Sequence, residues 1–598
     1  MGISELRASR ESRCALRIGL LTILVLASFP GHSPQGAFAQ EKARKPAEES
    51  NSGYAGSKAC AHCHASIYED FSRTDMGHSM SPVTPALIEK LRLPQSVTGI
   101  NPSRHLEVFA QGGKLYQSEY ESGSNGQDVF RDTQQLEWII GAGANGFGGV
   151  TRRDNYLYQA PLSFYSKPQR WGPSPGYEFA DLGFNRPILP GCIVCHSGRP
   201  QLASGGSGSF QDPPFAELAI GCENCHGPGL AHVATMQLNP GYEGHDPSIV
   251  NPARLSPALA DNICMDCHQM GDTRILRPGK DYQDFRPGAA LDDTLAILLA
   301  PPKRDSPPQS DLLEHYYSMT LSQCYRGSGG KLSCITCHDP HVQPPREEAA
   351  AYFDKKCLTC HTEKSCSLPL AERQHHDPPD DCAGCHMPKR DVQVISHSSL
   401  TNHRIPARPD EPFPDFAFHQ TTAALPDLIH LNPTPGRKDS PLPPLTLLQA
   451  YGELMDQKPE YAARYEAVLS ELERTDPNHA LVQAALGRRD LRTGKVKDAE
   501  AHLRRALEIG SPQATTYSDL ADVLTKLDRP SEAVPLLQRA IQIEPYTPTL
   551  QKTLVVRLIQ LKRYPEAEKA MESYVAQFPE DSFMRQMLAR AQASGPPK

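Results

Sequence analysis

Seven short stretches of this chain share one pattern: two cysteines separated by two residues, with a histidine directly behind the second. They are Cys60/Cys63/His64, Cys192/Cys195/His196, Cys222/Cys225/His226, Cys264/Cys267/His268, Cys334/Cys337/His338, Cys357/Cys360/His361 and Cys382/Cys385/His386. These motifs take up fourteen of the 17 cysteines. A dithiol redox pair needs no histidine behind it. A structural zinc site needs four ligands, usually two such pairs brought together, and again no obligatory histidine. Covalent haem attachment needs all three residues. The two thiols add across the two vinyl groups of the ring, the two intervening residues match their separation, and the histidine becomes the proximal ligand of the iron. Seven copies predict seven c-type haems, anchored by the fourteen cysteines and ligated by His64, His196, His226, His268, His338, His361 and His386.

The other face of each iron decides what the haem does. One histidine leaves a position open for small molecules, whereas two close the site and leave electron transfer. Between Tyr54 and His430 stand thirteen histidines outside the motif positions, more than the seven needed to close every haem. Context singles out His232 behind the turn of "CHGPG", His341 in "CHDPH", and His403 in "SLTNHRIP", with His397 six residues before it. His78 follows the first motif, with Met76 and Met80 as competing sulfur ligands. His315 lies on an amphipathic stretch, and His375 completes the set of distal candidates. Of the leftover thiols, Cys14 falls in the N-terminal leader. Cys324 and Cys366 either form a disulfide or remain free.

The stretches "YAGSKACAHCHASIYEDFSRTDMGHSM", "GCENCHGPGLAHV", "VNPARLSPALADNICMDCH", "DFRPGAALDD", "SGGKLSCITCHDPH" and "CAGCHMPKRDV…HSSLTNHRI" carry a family likeness. This part of the chain, most of 54–406, resembles the multihaem cytochromes c of the cytochrome c-554/doubled-CxxCH type. In one exported group of these, tetratricopeptide repeats follow the cytochrome domain. The resemblance implies a mainly α, loop-rich fold around closely stacked haems, with electron carriage as the usual activity. It also places His232, His341 and His403 at recurrent positions of distal ligands. Asn402 stands where family members more often have Asp, which leaves the adjacent histidine in place.

The elements that must hold these motifs are unevenly spread. Gly141-Ala-Gly143-Ala-Asn-Gly146 spells a dinucleotide fingerprint, but β-rich sequence follows it rather than a helix, so a nicotinamide site is not expected. Residues of about 105–180 read as a small β insertion between the first two motifs. Residues 407–445 are rich in proline and read as a linker. Beyond them Leu486, Leu520 and Leu554 recur every 34 residues, as do Ala499, Ala533 and Ala567. That period, with small residues where paired helices approach, resembles the tetratricopeptide repeat and predicts an α-solenoid over 446–595 for protein docking.

Arg7, Arg10, Arg13 and Arg17 precede the apolar run Ile18–Phe29, and Ala37-Phe38-Ala39 fits a cleavage site. Residues 1–39 therefore read as a signal peptide and 40–53 as a disordered linker, with no integral membrane segment after cleavage. The expected location is the periplasm or the cell exterior. A formal charge of -8 gives no basic surface for nucleic acid. With 39% hydrophobic residues and 55 prolines, the chain has little apolar material for cores along its whole length. The expected function is a heptahaem electron carrier with redox partner proteins. The alternative is a multihaem oxidoreductase acting on a small nitrogen or sulfur compound at one five-coordinate haem.

Overall fold

The computed structural model describes residues 53–99, 101–177, 180–203, 207–242, 244–305, 313–389, 401–418, 427–436 and 441–594. The leader, nearly all of 40–53 and His397 lie outside the described residues. Alternating apolar and polar side chains make His105–Gln111 and Lys114–Ser122 strands. Gly112 and Gly113 join them with φ of 58° and 75°, as a tight two-residue hairpin turn requires. With Gln95–Thr98 and Asp128–Leu136 these strands form an antiparallel four-stranded sheet. A six-stranded sheet runs Met80–Pro82, Trp138–Ile140, Gly146–Arg153, Tyr156–Tyr165 and Arg186–Pro187, with Arg170–Pro173 beside Tyr156–Tyr165. Both sheets contribute to one core, in which Val108, Leu115 and Leu136 meet Phe147, Leu162, Phe164 and Trp171. The glycines from Gly141 to Gly146 link two antiparallel strands and open no helix.

Strands extend well beyond 105–180. They begin at Met80 and reach Glu217 through the pair Arg199–Leu202 and Phe210–Glu217. Thr273–Leu276, Leu295–Leu299 and Ile429–His430 form a further three-stranded sheet. The expectation of a mainly α fold thus suits the C-terminal domain and needs correction N-terminal to it. The reasons are local. Prolines within "RPQL" and "FQDPPFAE" remove ladder donors and hide the alternation, and the pairing there shifts register. The fully buried run Leu295–Leu299 has no alternation to show. Ile429–His430 borrows its two residues from the proline-rich linker.

The C-terminal part is a stack of antiparallel helix pairs: Pro444–Leu454 with Ala462–Thr475, Ala480–Arg492 with Val496–Ile509, Ala514–Lys526 with Pro530–Ile543, and Pro548–Gln560 with Tyr564–Gln577. Ser582–Ser594 closes the stack. Ala499, Ala533 and Ala567 are all buried where paired helices touch. At Gly487 a Cβ would come within 2.5 Å of Leu503 Cγ, so only glycine permits that approach.

Both ends of the stack rest on the rest of the molecule. The helix Pro444–Leu454 packs Ala450 into a cluster with Ile275, Ala296 and Leu298, and Glu453 accepts a hydrogen bond from Thr273. At the far end Arg104 donates to the Glu580 carbonyl at 2.6 Å, Asn185 to the Glu580 carboxylate at 3.2 Å and Arg153 to the Gln577 carbonyl at 3.3 Å. Among the described residues no helix is long and apolar enough to cross a membrane.

Candidate functional site

Each motif sits in or against a short helix, such as Cys222–His226, Pro257–His268, Cys334–Cys337 and Cys382–His386. Helical geometry puts cysteines three apart on one face, so both thiols of a motif present to the same side. The motifs also sit against one another. The first thiols of motifs one and three, Cys60 and Cys222, share a hydrogen bond, as do Cys264 and Cys334 of motifs four and five. Cys382 of motif seven lies within electrostatic reach of Cys357 of motif six.

Between these pairs the contact is of another kind. The second thiol of motif three, Cys225, lies within electrostatic reach of Cys264, and the second thiol of motif five, Cys337, within reach of Cys360. Motif two leans on motif four through Cys195 and Cys267, and the Cys195 thiol also donates to the Asp266 carbonyl at 3.7 Å. The seven motifs therefore make a connected series, one–three–four–five–six–seven, with two as a spur on four.

Cys63, Cys192, Cys360 and Cys385 are exposed free thiols, and His64 and His361 are exposed as well.

Backbone and side-chain bonds fix the series. The buried Glu223, between the two cysteines of motif three, accepts from the Ala55, Gly56 and Gly229 amides at 2.7–2.9 Å, pinning the segment before motif one. Ser57 Oγ accepts from the Cys222 amide at 2.9 Å. Asp261 Oδ1 accepts from the Cys334 amide and Asp354 Oδ1 from the Cys382 amide, both also at 2.9 Å. Cys324 and Cys366 are free thiols, not bonded to each other.

Three distal candidates come to motif histidines. His341 stacks near His226 with centroids 5.9 Å apart, His315 meets His268 at 5.5 Å, and His403 lies 6.4 Å from His338. With metal–imidazole bonds of about 2 Å on each side, two rings sharing one metal have centroids roughly 6 Å apart. His232 lies within electrostatic reach of His226. Neither His78 nor His375 makes a ring contact with a motif histidine among the described residues.

The candidates share a hydrogen-bond habit. Nδ1 is directed at an oxygen in His78 (Thr74 O, 3.2 Å), His232 (Asp246 Oδ2, 2.8 Å), His315 (His268 O, 3.2 Å), His375 (Ala371 O) and His403 (Thr401 O, 2.9 Å). His341 Nδ1 lies 3.5 Å from Asp339 Oδ1. The motif histidines His226 and His386 do the same with the Val250 and Pro406 carbonyls at 2.7 and 2.9 Å. Ligating histidines are oriented this way, with one nitrogen held by a protein oxygen and the other turned to the metal. His430 does the reverse: its Nε2 lies 2.9 Å from Asp292 Oδ1. Burial favours the neutral form of five of these histidines, the form that binds a metal. It pushes His315 down to about 3, helped by His403 and His268, and His338 to about 4; His226, His268 and His403 are also lowered by burial. Asp246 is held at about 2, chiefly by its bond to His232.

The donor set suits haem better than zinc. Among the described residues no three His, Cys, Asp or Glu side chains converge to hold a metal ion. The surroundings lack an apolar filling of their own: no buried hydrophobic side chain occurs from residue 53 to 79, nor between Leu321 and Ala417, among the described residues. Large apolar side chains instead face outward beside the motifs, namely Ile67, Leu230, Val342 and Leu358. A flat apolar group on the thiols would cover such surface.

The sequence reading did not find Ser57, Glu223, Asp246, Asp261 or Asp354. Asp246 is 14 residues from His232 and carries no local signal. Ser57, Asp261 and Asp354 each stand three residues before a first motif cysteine, a regularity visible in the sequence.

Residues 524–591 match the family model described as tetratricopeptide repeat, and the helix pairs there form such a domain. Similar solved structures include YrrB, a tetratricopeptide repeat protein with an unusual peptide-binding site, at 19% identity over 25% of this chain and 77% of that one, TM-score 0.23. MamA is similar at 20% identity over 24% of this chain and 83% of that one, TM-score 0.22. The APC/C hetero-tetramer Cut9–Hcn1 is similar at 16% identity over 25% of this chain and 30% of that one, TM-score 0.23. No curated protein matches the chain.

Proposed function

We propose that this chain is an exported c-type cytochrome that carries seven covalent haems and relays electrons between protein partners, one of which docks on the tetratricopeptide repeats. The observation that supports the reading is that hydrogen bonds tie motif one to three, four to five, six to seven and two to four, so the seven motifs gather in one region. When bound, haem iron supplies one-electron Fe(III)/Fe(II) cycling.

The chain's own residues do the rest. The fourteen motif cysteines would hold the haems covalently, and the motif histidines would ligate the irons. His341, His315 and His403, near the histidines of motifs three, four and five, would be available as second ligands. Thr401 O, His268 O and Asp339 orient those rings. Arg404 is buried and the Arg274 side chain is 8% exposed, so both bring positive charge into the same region, where haem carboxylates would need partners. Repeat stacks present a continuous surface built from successive helix pairs, which supports the docking role.

The test is the haem stoichiometry of the exported protein by intact mass, with a low-temperature EPR spectrum of the oxidised form. Seven covalent additions and only low-spin signals are expected. Fewer than seven, or a high-spin signal worth one haem that changes with nitrite or hydroxylamine, would overturn a pure carrier.

A further inference from the structure

Three of the motif pairs are joined by the same bond. The acceptor is always the residue three positions before the first cysteine of the earlier motif: Ser57 before Cys60, Asp261 before Cys264, Asp354 before Cys357. The donor is always the amide of the first cysteine of the later motif: Cys222, Cys334, Cys382. All three bonds are 2.9 Å long. Each donor opens a short helix, Cys222–His226, Cys334–Cys337 or Cys382–His386, where amides lack partners within the helix. Each acceptor lies on or beside the helix that leads into the earlier motif. The remaining motif contacts, three to four, five to six and two to four, have no such bond; position -3 is Leu189 before motif two, Ala219 before three, Lys331 before five and Pro379 before seven.

We infer that Ser57, Asp261 and Asp354 are positioning residues that set the register of three equivalent motif pairs, one with three, four with five and six with seven. The inference rests on the haem reading for its consequence but not for its geometry. The bond ties the start of one motif to the turn before another, so it fixes how far the first thiols stand apart and how the two helices are rotated. The first thiols share a hydrogen bond in two of the pairs and lie within electrostatic reach in the third. A serine at one site and aspartates at the other two point to the acceptor oxygen, not the charge, as the working feature. Asp261 is buried at 2% exposure, which an unpaired carboxylate would not tolerate. The series would then behave as three like units joined end to end, with motif two as a branch.

The decisive comparison is Asp354→Ala against Asp354→Asn in the full exported protein. The alanine has no acceptor, whereas the amide oxygen of asparagine replaces the lost bond. Three readouts are taken: haem count by mass, the Soret circular-dichroism couplet that reports coupling between neighbouring haems, and hydrogen exchange of the Cys382 amide. Seven haems are expected in both variants. Asp354→Ala loses the contribution of one pair to the couplet and loses protection at Cys382, whereas Asp354→Asn keeps both. A wild-type couplet and protected Cys382 in Asp354→Ala, or equal losses in both variants, would overturn the inference. If Asp354→Ala does not accumulate, Ser57→Ala decides by the same readouts at Cys222, where Glu223 still ties the two segments. Wild-type protein without haem would sink the functional reading alone, and the exchange at Cys382 would still judge the positioning role.

Discussion

Residues 322–416 and the helices from Ala480 to Gln577 are stretches of similar length in one chain, built on opposite principles. The first holds three cysteine–histidine motifs and, among the described residues, not one buried hydrophobic side chain. The second buries Leu486, Leu503, Leu520, Leu537 and Leu558, along with the three alanines of its period. Its backbone is almost all helical, and each helix pair packs on its neighbours. One region stores its fold in its own side chains. The other has short helices, many turns and outward apolar residues such as Leu358, and on the proposed function would depend on groups attached to its thiols. The hydrophobic effect scales with apolar area removed from water, and residues 322–416 supply little of their own.

The largest expected effect breaks the molecule along this line. In full-length chain produced without haem attachment, limited proteolysis should cut freely within 322–416 and leave a resistant fragment covering 444–594. The exported, haem-loaded protein should resist in both. Native-like resistance of 322–416 without haem would mean that this stretch folds on its own contacts, and the contrast would be lost.

A second effect concerns the join between the repeat stack and the β-rich part. Around Arg104 gather Glu119 at 2.7 Å, Glu121, Asp181 and the segment of Glu580, with Arg153 and Arg585 beside them. Burial, with Asp181 next, pushes Glu119 up to about 8, and burial pushes Glu580 up to about 7. The folded values lie above the unfolded value near 4.5, so the contact is most stable below that pH. It weakens as pH rises and has lost this contribution once pH passes the folded values. The protection of residues 578–584, corrected for the intrinsic rise of exchange with pH, should therefore fall, and corrected exchange rise, between pH about 4.5 and about 8. Glu580→Gln should flatten that rise, because it keeps a neutral side chain at every pH. An unchanged pH profile in Glu580→Gln would place the sensitivity elsewhere.

What was legible in the sequence follows the same division. Cysteine–histidine motifs and a 34-residue period are local patterns, so Cys222-x-x-Cys225-His226 and the series Ala499, Ala533, Ala567 could be read directly. Strands such as Arg199–Leu202 were hidden because proline breaks the alternation that marks a strand. The contacts that assemble the site are long-range: Glu223 reaches Ala55, Asp354 reaches Cys382, and His341 comes to His226 across more than a hundred residues. No residue type announces such a partner. Nor does the motif pattern tell a covered thiol from an open one: Cys63, Cys192, Cys360 and Cys385 are exposed, whereas the other motif cysteines are not. His430 shows the converse, a histidine available by count whose Nε2 faces Asp292.

The smallest expected effect sharpens the comparison from the repeat side. The turn inside each helix pair places residues 34 apart in the left-handed region: Gly494 at φ 77°, Asp528 at 58° and Lys562 at 59°. For a side chain other than glycine this conformation costs about 1–2 kcal/mol, less for Asp or Asn. Glycine in its place gives back roughly 0.5–1 kcal/mol through its greater freedom when unfolded. Lys562→Gly should therefore stabilise the domain by about 0.5–1 kcal/mol. Asp528→Gly should gain less. Gly494→Lys should cost about as much as Lys562→Gly gains, because a Cβ at Gly494 meets nothing within 4 Å and only the backbone is strained. Thermal or denaturant unfolding of the repeat domain within the full chain measures all three. If stability is stored locally there, the three shifts keep their order and size in haem-loaded and haem-free protein alike. A reversed order would mean that side-chain contacts outweigh backbone strain at this turn. Shifts that vanish without haem would mean that the repeats lean on the motif region for their own fold, and the two regions would no longer stand as opposites.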